Sequence, residues 1–292
     1  MKLIFIHGRD QQGKDPDALK QIWVDSLSKG LKKSGSSISP DLDILFPFYG
    51  DMLAKYVQEA ESPVLSSFNT KGAGVQANND SELSYRYEIL KELLKNAGIP
   101  ESEVDNNYEG SIKEKGPLNW PWVHAILRTL DQTPLGLDVI DRFTRDVYIY
   151  LVYRKSIRKN IDSEVLKAFP EKGEVTVVGH SLGSVVGYNV LMKLPPEVKV
   201  RSFITLGSPL GINAIHRQLD RIQNPPTVKT WFNALDPGDV VALRPLLKKP
   251  FDFLPTIVNK VDVDNFTDNQ HGIEGYLQDP EVADKIWHAI QK

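Results

Sequence analysis

The sequence predicts an α/β fold, with a mostly parallel sheet of about six strands flanked by helices. Short runs of β-branched and aliphatic residues alternate along the chain with stretches of helical periodicity. One such run, residues 175–178, leads into a Gly-x-Ser-x-Gly pentapeptide that a helical stretch follows. The 292 residues, of which 41% are hydrophobic and 25% charged, can bury a substantial core in one large domain or two small ones.

The predicted elements alternate between strand and helix. The predicted strands cover residues 3–6, 41–46, 175–178, 200–206, 228–235 and 256–261. Their flanking helices are predicted at residues 17–33, 183–193 and 279–290. The first of these helices has apolar residues at a spacing of three to four, which is typical of a helix with one buried face: Leu19, Ile22, Trp23, Leu27 and Leu31.

A long insertion, residues 49–170, separates the second predicted strand from the third. An ordinary crossover needs only one helix and short loops, whereas this segment has helical patterns at about 81–97, 120–131 and 139–168. We interpret residues 50–138 as a helical cap or lid over the active site. The α/β core then comprises residues 1–49 and 139–292, and includes the last of the three helices.

Composition excludes several classes of function. The net charge of −3 gives no electrostatic footprint for nucleic acid, and the lack of cysteine excludes disulfides and thiol chemistry. The apolar run at residues 3–6 is too short for a secretory signal, and no run approaches the roughly 18–20 apolar residues of a membrane helix. We therefore expect a cytoplasmic protein without a transmembrane segment, whereas the sequence does not indicate an oligomeric state. The six histidines are scattered without metal-ligand spacing, so neither a metal nor another cofactor is expected.

The pentapeptide at residues 179–183 predicts a nucleophilic serine. Between a strand and a helix, Gly-x-Ser-x-Gly forms a sharp elbow that exposes the hydroxyl of Ser181 and aims the helix N-terminus at the reacting oxygen. Glycine at both flanking positions permits the close backbone approach that this turn needs.

A serine hydroxyl requires a base and a group that orients the base. His271 lies in a polar loop between the last predicted strand and the final helix, at the sheet edge where the carboxyl ends of parallel strands converge. Asp236 and Asp239 both follow the fifth predicted strand. We favour Asp239 as the orienting carboxylate because an apolar pair follows it directly, while Asp236 stays open as an alternative.

An anionic transition state also needs two fixed N–H donors. The amide of Leu182, directly after the serine, is the first candidate. The second is the amide of Arg9, in the loop that begins with His7 and Gly8 after the first strand.

These motifs together resemble the α/β-hydrolase superfamily, in particular its compact lipase-like and esterase-like members. The resemblance rests on Phe-Ile-His-Gly at residues 5–8, the pentapeptide at 179–183, Leu-Gly-Ser-Pro-Leu-Gly at 206–211, Asp-x-Val at 239–241 and His-Gly at 271–272. It spans the chain apart from the insertion, and it favours Asp239 over Asp236. Because the first strand already bears His-Gly, the resemblance implies a sheet that lacks the two N-terminal strands of the full superfamily fold.

The predicted function is hydrolysis of a carboxylic ester, small or lipid-like, through an acyl-enzyme with Ser181, His271 and Asp239. Besides His7 and Gly8, the aromatic residues Phe48, Trp120 and Trp122 are candidates for substrate contacts; the alternative for the tryptophans is packing of a cap helix on the core. Thioester hydrolysis or acyl transfer could use the same three residues. A non-catalytic binding protein on the hydrolase scaffold is the third hypothesis.

Overall fold

Six parallel strands form one sheet in the order β2-β1-β3-β4-β5-β6 in the computed structural model of this chain. The structure describes residues 1–67, 73–108, 115–134, 136–242, 244–247 and 249–291, and for residues 61–67, 73–79 and 120 it describes the backbone alone. The strands are β1 (Lys2–Ile6), β2 (Asp43–Leu45), β3 (Gly173–His180), β4 (Val198–Leu206), β5 (Trp231–Ala234) and β6 (Val258–Lys260). The predicted α/β fold class is confirmed.

Helices cover both faces of this sheet. Within the described residues they are α1 (Pro16–Lys33), α2 (Gly50–Ser67), α3 (Ala73–Asn96), α4 (Glu101–Asp105), α5 (Trp120–Leu130), α6 (Leu137–Tyr148), α7 (Lys155–Leu166), α8 (Leu182–Leu191), α9 (Asn213–His216), α10 (Ile273–Gln278) and α11 (Pro280–Ile290). A π-helical turn at Ile149–Tyr153 and a 3₁₀ turn at Pro209–Gly211 complete the helical structure. No helix in these ranges combines the length and the apolarity that a membrane-spanning helix needs.

The two faces of the sheet have separate hydrophobic clusters. Side chains of β1 alternate between them, as the pleat of a strand requires: Leu3 and Phe5 pack with α1, α10 and α11, whereas Ile4 and Ile6 pack in the cluster that includes α2, α3, α5 and α8. The helices of the insertion therefore share one continuous apolar cluster with the sheet. The division into a cap at 50–138 and a core stays a prediction.

The insertion differs from its predicted helices in several places. Helices α2 and α4 were not predicted, and α3 begins at Ala73 rather than near residue 81. In α2 the side chains of Leu53, Val57 and Ala60 pack in the hydrophobic cluster on the sheet. The helix predicted at 139–168 is instead two helices, α6 and α7. Between them the chain widens into the π-helical turn, and Arg154 is extended at φ −148°.

Local signals place helix α1 after the loop that leaves β1. The side chain of Asp15 accepts a hydrogen bond from the amide of Asp17 at 3.0 Å, and Pro16 occupies the first helical position. The short loop between Ile6 and Asp15 is thereby fixed at both ends, at the carboxyl edge of the sheet where the candidate site lies.

Candidate active site

Ser181 lies in a strained turn between β3 and α8. Its backbone has φ +52° and ψ −129°, a region that residues with a Cβ rarely adopt. The turn is held on both sides, because the amide of Ser181 donates to the carbonyl of Leu206 at 3.0 Å and its own carbonyl accepts from the amide of Ser184 at 2.9 Å. The hydroxyl of Ser184 also donates to that carbonyl, at 2.6 Å. The strain is thus maintained by neighbouring backbone and side chain.

The glycines around this turn are required by close backbone contacts. A Cβ on Gly183 would lie 2.2 Å from the carbonyl oxygen of Ile6 and 2.3 Å from that of His7, and one on Gly179 would lie 2.8 Å from the Cα of Ser184. The prediction that glycine is needed on either side of the serine is confirmed.

Three polar side chains from three separate loops form one hydrogen-bonded chain. The Oγ of Ser181 lies 2.9 Å from Nε2 of His271, and Nδ1 of His271 lies 2.6 Å from Oδ2 of Asp239. Each residue follows the carboxyl end of a different strand, β3, β6 or β5. The structure thus brings together three residues that are 32 to 90 positions apart in sequence.

Asp239 is fully buried, and both of its carboxylate oxygens accept hydrogen bonds. Oδ1 accepts from the amide of Val241 at 3.2 Å, and Oδ2 accepts from the hydroxyl of Tyr276 at 2.7 Å as well as from His271. Burial, and then the neighbouring Asp239, raise the pKa of Tyr276 well above its usual value, so this phenol keeps its proton and acts as a donor. Sequence reasoning missed Tyr276; a bulky apolar position five residues after His271 is the only signal that could have indicated it.

Asp236, the alternative carboxylate, has different partners. Its Oδ1 accepts from the amide of Gly238 at 2.6 Å, and its Oδ2 accepts from the amide of Asn265 at 2.6 Å. Both oxygens therefore bind backbone, which is the usual role of aspartate in a turn. The structure places Asp239, and not Asp236, against His271.

Two further histidines, the buried His7 and the partly buried His180, lie beside these three residues and form hydrogen bonds with the backbone. Nε2 of His180 contacts the carbonyl oxygen of His271 at 2.8 Å, so this nitrogen is the protonated one and donates. Nδ1 of His7 donates to the carbonyl of Gly8 at 2.7 Å, while its Nε2 accepts from the amide of Tyr49 at 3.1 Å. Burial lowers the pKa of His180 to about 3 and that of His7 to about 4, so both rings are neutral.

The two amides predicted as anion donors lie on either side of Ser181. Leu182 is the first residue of α8, and Arg9 follows Gly8, where a Cβ would lie 3.0 Å from the Cβ of Ser181. Neither amide donates a hydrogen bond to any residue that the structure describes. Both N–H groups are therefore available to an external acceptor, and the positive end of the α8 dipole adds to the attraction for an anion.

A cavity of about 270 Å³ opens beside Ser181. His7, Gly8 and Arg9 line it, as do residues that sequence reasoning did not assign to the site: Leu19, Ile22 and Trp23 of α1, Val139 of α6, and Asn269, Ile273 and Glu274 near His271.

The aromatic residues predicted to contact substrate are placed differently. As far as the chain is described, the lining includes neither Phe48 nor Trp122. Phe48 lies against the ring of His7, with centroids 5.2 Å apart. Trp122 is 1% exposed and packs edge-on against Tyr108 at 5.0 Å, so it belongs to the hydrophobic core. The side chain of Trp120 lies outside the described residues.

The fold and the site together define an α/β protein in which a serine, a histidine and an aspartate are joined by hydrogen bonds at the carboxyl edge of a parallel sheet. Comparison of the chain with models of protein families, with curated proteins and with solved structures found no match. These three hydrogen-bonded side chains can transfer a proton from Ser181 to His271, while Asp239 stabilises the resulting imidazolium.

Proposed function

We propose that this protein is a serine hydrolase of the α/β-hydrolase type that cleaves a carboxylic ester. The observation that carries the proposal is the unbroken hydrogen-bonded chain from Ser181 through His271 to the buried carboxylate of Asp239. A strained backbone at the nucleophile supports it, because strain of this kind persists where the surroundings and the function require it.

The proposed reaction has two halves. Oγ of Ser181 attacks the ester carbonyl while Nε2 of His271 takes its proton, and the carbonyl oxygen becomes an anion between the amides of Leu182 and Arg9. The C–O bond to the leaving alcohol then breaks, and His271 returns the proton to that alcohol. In the second half, water attacks the acyl-enzyme with His271 as base, which releases the carboxylic acid and restores the hydroxyl of Ser181.

The cavity favours a small ester over a long-chain lipid. Its volume of about 270 Å³ lies just below the usual range for sites that enclose a drug-sized ligand. Apolar side chains from α1 line one part, and polar groups from the loops that carry Arg9 and His271 line another. We therefore expect the acyl group to be short.

Intact-mass measurement after incubation with a fluorophosphonate tests the proposal. Oγ of an activated serine attacks phosphorus and displaces fluoride, so the wild type gains one phosphonyl adduct. Ser181→Ala gains none. Ser163→Ala, which changes an exposed serine whose hydroxyl bonds a helix carbonyl, retains the adduct. The proposal fails if the folded wild type gains no adduct, or if Ser181→Ala gains the same one.

A further inference from the structure

A second cavity adjoins the one that contains Ser181. It has a volume of about 190 Å³ and lies between α2 and α6. Arg9 and Asp10 line both cavities, so the two spaces share these residues as a common wall. A ligand that extends from Ser181 past Arg9 and Asp10 would enter this second space.

Among the described residues, the charged side chains that line the second cavity include more cations than anions. Three guanidinium groups face it, from Arg9, Arg142 and Arg145, against the two carboxylates of Asp10 and Asp146. Arg9 and Asp146 are 8% and 7% exposed at their side chains and form an ion pair of 3.1 Å. Arg145 contacts the other oxygen of Asp146 at 3.3 Å. The buried carboxylate is thus shared between two arginines.

Carboxylates hold the guanidinium group of Arg9 on two sides. Its Nη2 lies 2.5 Å from Oδ2 of Asp10, and its Nε lies 3.1 Å from Oδ2 of Asp146. These ion pairs fix the positive charge of Arg9 beside both cavities.

Arg142 is the accessible member of the group. Its side chain is 44% exposed, and its Nη1 is 3.8 Å from Oδ1 of Asp10, beyond hydrogen-bonding distance. Opposite it, one face of α2 contributes the apolar side chains of Leu53, Ala54 and Val57. The cavity therefore offers an apolar wall for a short carbon chain and guanidinium groups for its end.

We propose that the second cavity binds an anionic group, a carboxylate or a phosphate, at the far end of the ester that Ser181 attacks. Guanidinium groups match the geometry of both anions, which share the same oxygen acceptors. Arg142, whose ion pair with Asp10 is longer than a hydrogen bond, would contact the anion, while the amide of Arg9 would lie at the reacting carbonyl. This inference rests on the proposed hydrolase function, which it deepens by naming the substrate class.

Matched p-nitrophenyl esters test the inference: the neutral butyrate, the monoester of glutarate, and a chain of similar length that ends in a phosphonate. We expect the wild type to favour one of the anionic esters in kcat/KM by about tenfold, the effect of one hydrogen bond to a charged group. Arg142→Gln should reduce that preference to near unity. The matched control is Arg128→Gln, an exposed arginine of α5 that lines neither cavity, and it should retain the preference.

Equal kcat/KM for the three esters in the wild type, or an unchanged preference in Arg142→Gln, would overturn the inference. Failure of the hydrolase proposal looks different, because no ester is then cleaved and no fluorophosphonate adduct forms. In that case titration calorimetry with glutarate and with inorganic phosphate decides. Binding to the wild type that Arg142→Gln abolishes supports the anion cavity, and no binding to the wild type refutes it.

Discussion

The hydroxyl of Tyr276 donates a hydrogen bond to Oδ2 of Asp239, the same oxygen that His271 contacts through Nδ1. The phenol also accepts from the amide of Asp236 at 3.2 Å, so it links the two aspartates of the Asp-Pro-Gly-Asp turn. Because Tyr276 lies on α10 and His271 lies just before that helix, one short segment positions both partners of the carboxylate. Tyr276 is therefore a positioning residue for the proposed reaction.

Tyr276→Phe should lower kcat/KM by roughly tenfold, since one charge-assisted hydrogen bond to Asp239 is lost while the ring remains. The acid limb of the pH–rate profile should also move to higher pH, because Asp239 with one donor fewer attracts the proton on His271 more strongly. Steady-state kinetics from pH 5 to 9 measures both effects. A purely structural role would lower the melting temperature and leave the acid limb in place, which would contradict the prediction.

The two aspartates of the turn should respond differently to amidation. Asp239→Asn should reduce kcat by about three to four orders of magnitude, because the amide cannot stabilise the imidazolium. The side chain of Asp236 accepts hydrogen bonds from two backbone amides, one at each oxygen. In Asp236→Asn only one oxygen remains, so one amide loses its acceptor, and we expect a loss of about 1–3 kcal/mol in the free energy of unfolding. Urea unfolding and ester kinetics on both variants check the contrast. Equal losses of kcat would count against the assignment of Asp239.

Gly183→Ala should destabilise the protein by about 3 kcal/mol or more, since the new methyl group would overlap the carbonyl oxygens of Ile6 and His7 at the end of β1. Gly187→Ala on the same helix is the matched control. Its Cβ would lie 3.2 Å from the ring of Phe203, a contact that small shifts relieve. Thermal unfolding of the two variants provides the comparison, and a similar melting temperature for both would show that the close approach at Gly183 is not needed.

Acid should destabilise the fold through histidines with lowered pKa values, His7 and His180 above all. Their pKa values in the folded protein are about 4 and about 3, below the ordinary 6.5, so between these values and 6.5 the unfolded chain binds more protons than the folded one. The free energy of unfolding should therefore fall as the pH drops below 6.5, by up to about 1.4 kcal/mol per pH unit for each histidine. Urea titrations at pH 7, 6 and 5 measure this slope.

His7→Gln removes one of these titrating groups and should reduce the slope by up to about 1.4 kcal/mol per pH unit. His288→Gln, at a histidine whose side chain is 64% exposed, is the control for loss of an imidazole group as such. A stability that does not change between pH 7 and 5 in the wild type would contradict the prediction.

The strand ends were predictable because their signals are local. A buried parallel strand reads as a continuous apolar run, and the residues that follow it lie at one edge whatever the rest of the chain does. Hence the order of Ser181, Asp239 and His271 along the sequence was enough to expect them at the same edge, where the structure joins them by hydrogen bonds. Their catalytic roles stay predictions.

What the sequence did not reveal depends on packing between distant segments. Helix α2 gains its stability from contacts with the sheet cluster, and Tyr276 meets Asp239 because α10 brings it against the loop that follows β5. For Trp122 the sequence left substrate contact and core packing as alternatives, and burial against Tyr108 makes it part of the core. Propensity and spacing contain no information on such contacts.

Neighbouring residues of α1 constrain the cavity in unequal ways. Trp23 and Ile22 both line the cavity. The ring of Trp23 also contacts the rings of Phe5 and His180, and this side chain is only 3% exposed. Ile22, its neighbour in the sequence, is 43% exposed. Any exchange at Trp23 would alter the folded state and the site at once. Ile22 can change in size without disturbing the core, so it is the position on this wall where mutation can vary which acyl groups are accepted without loss of folding.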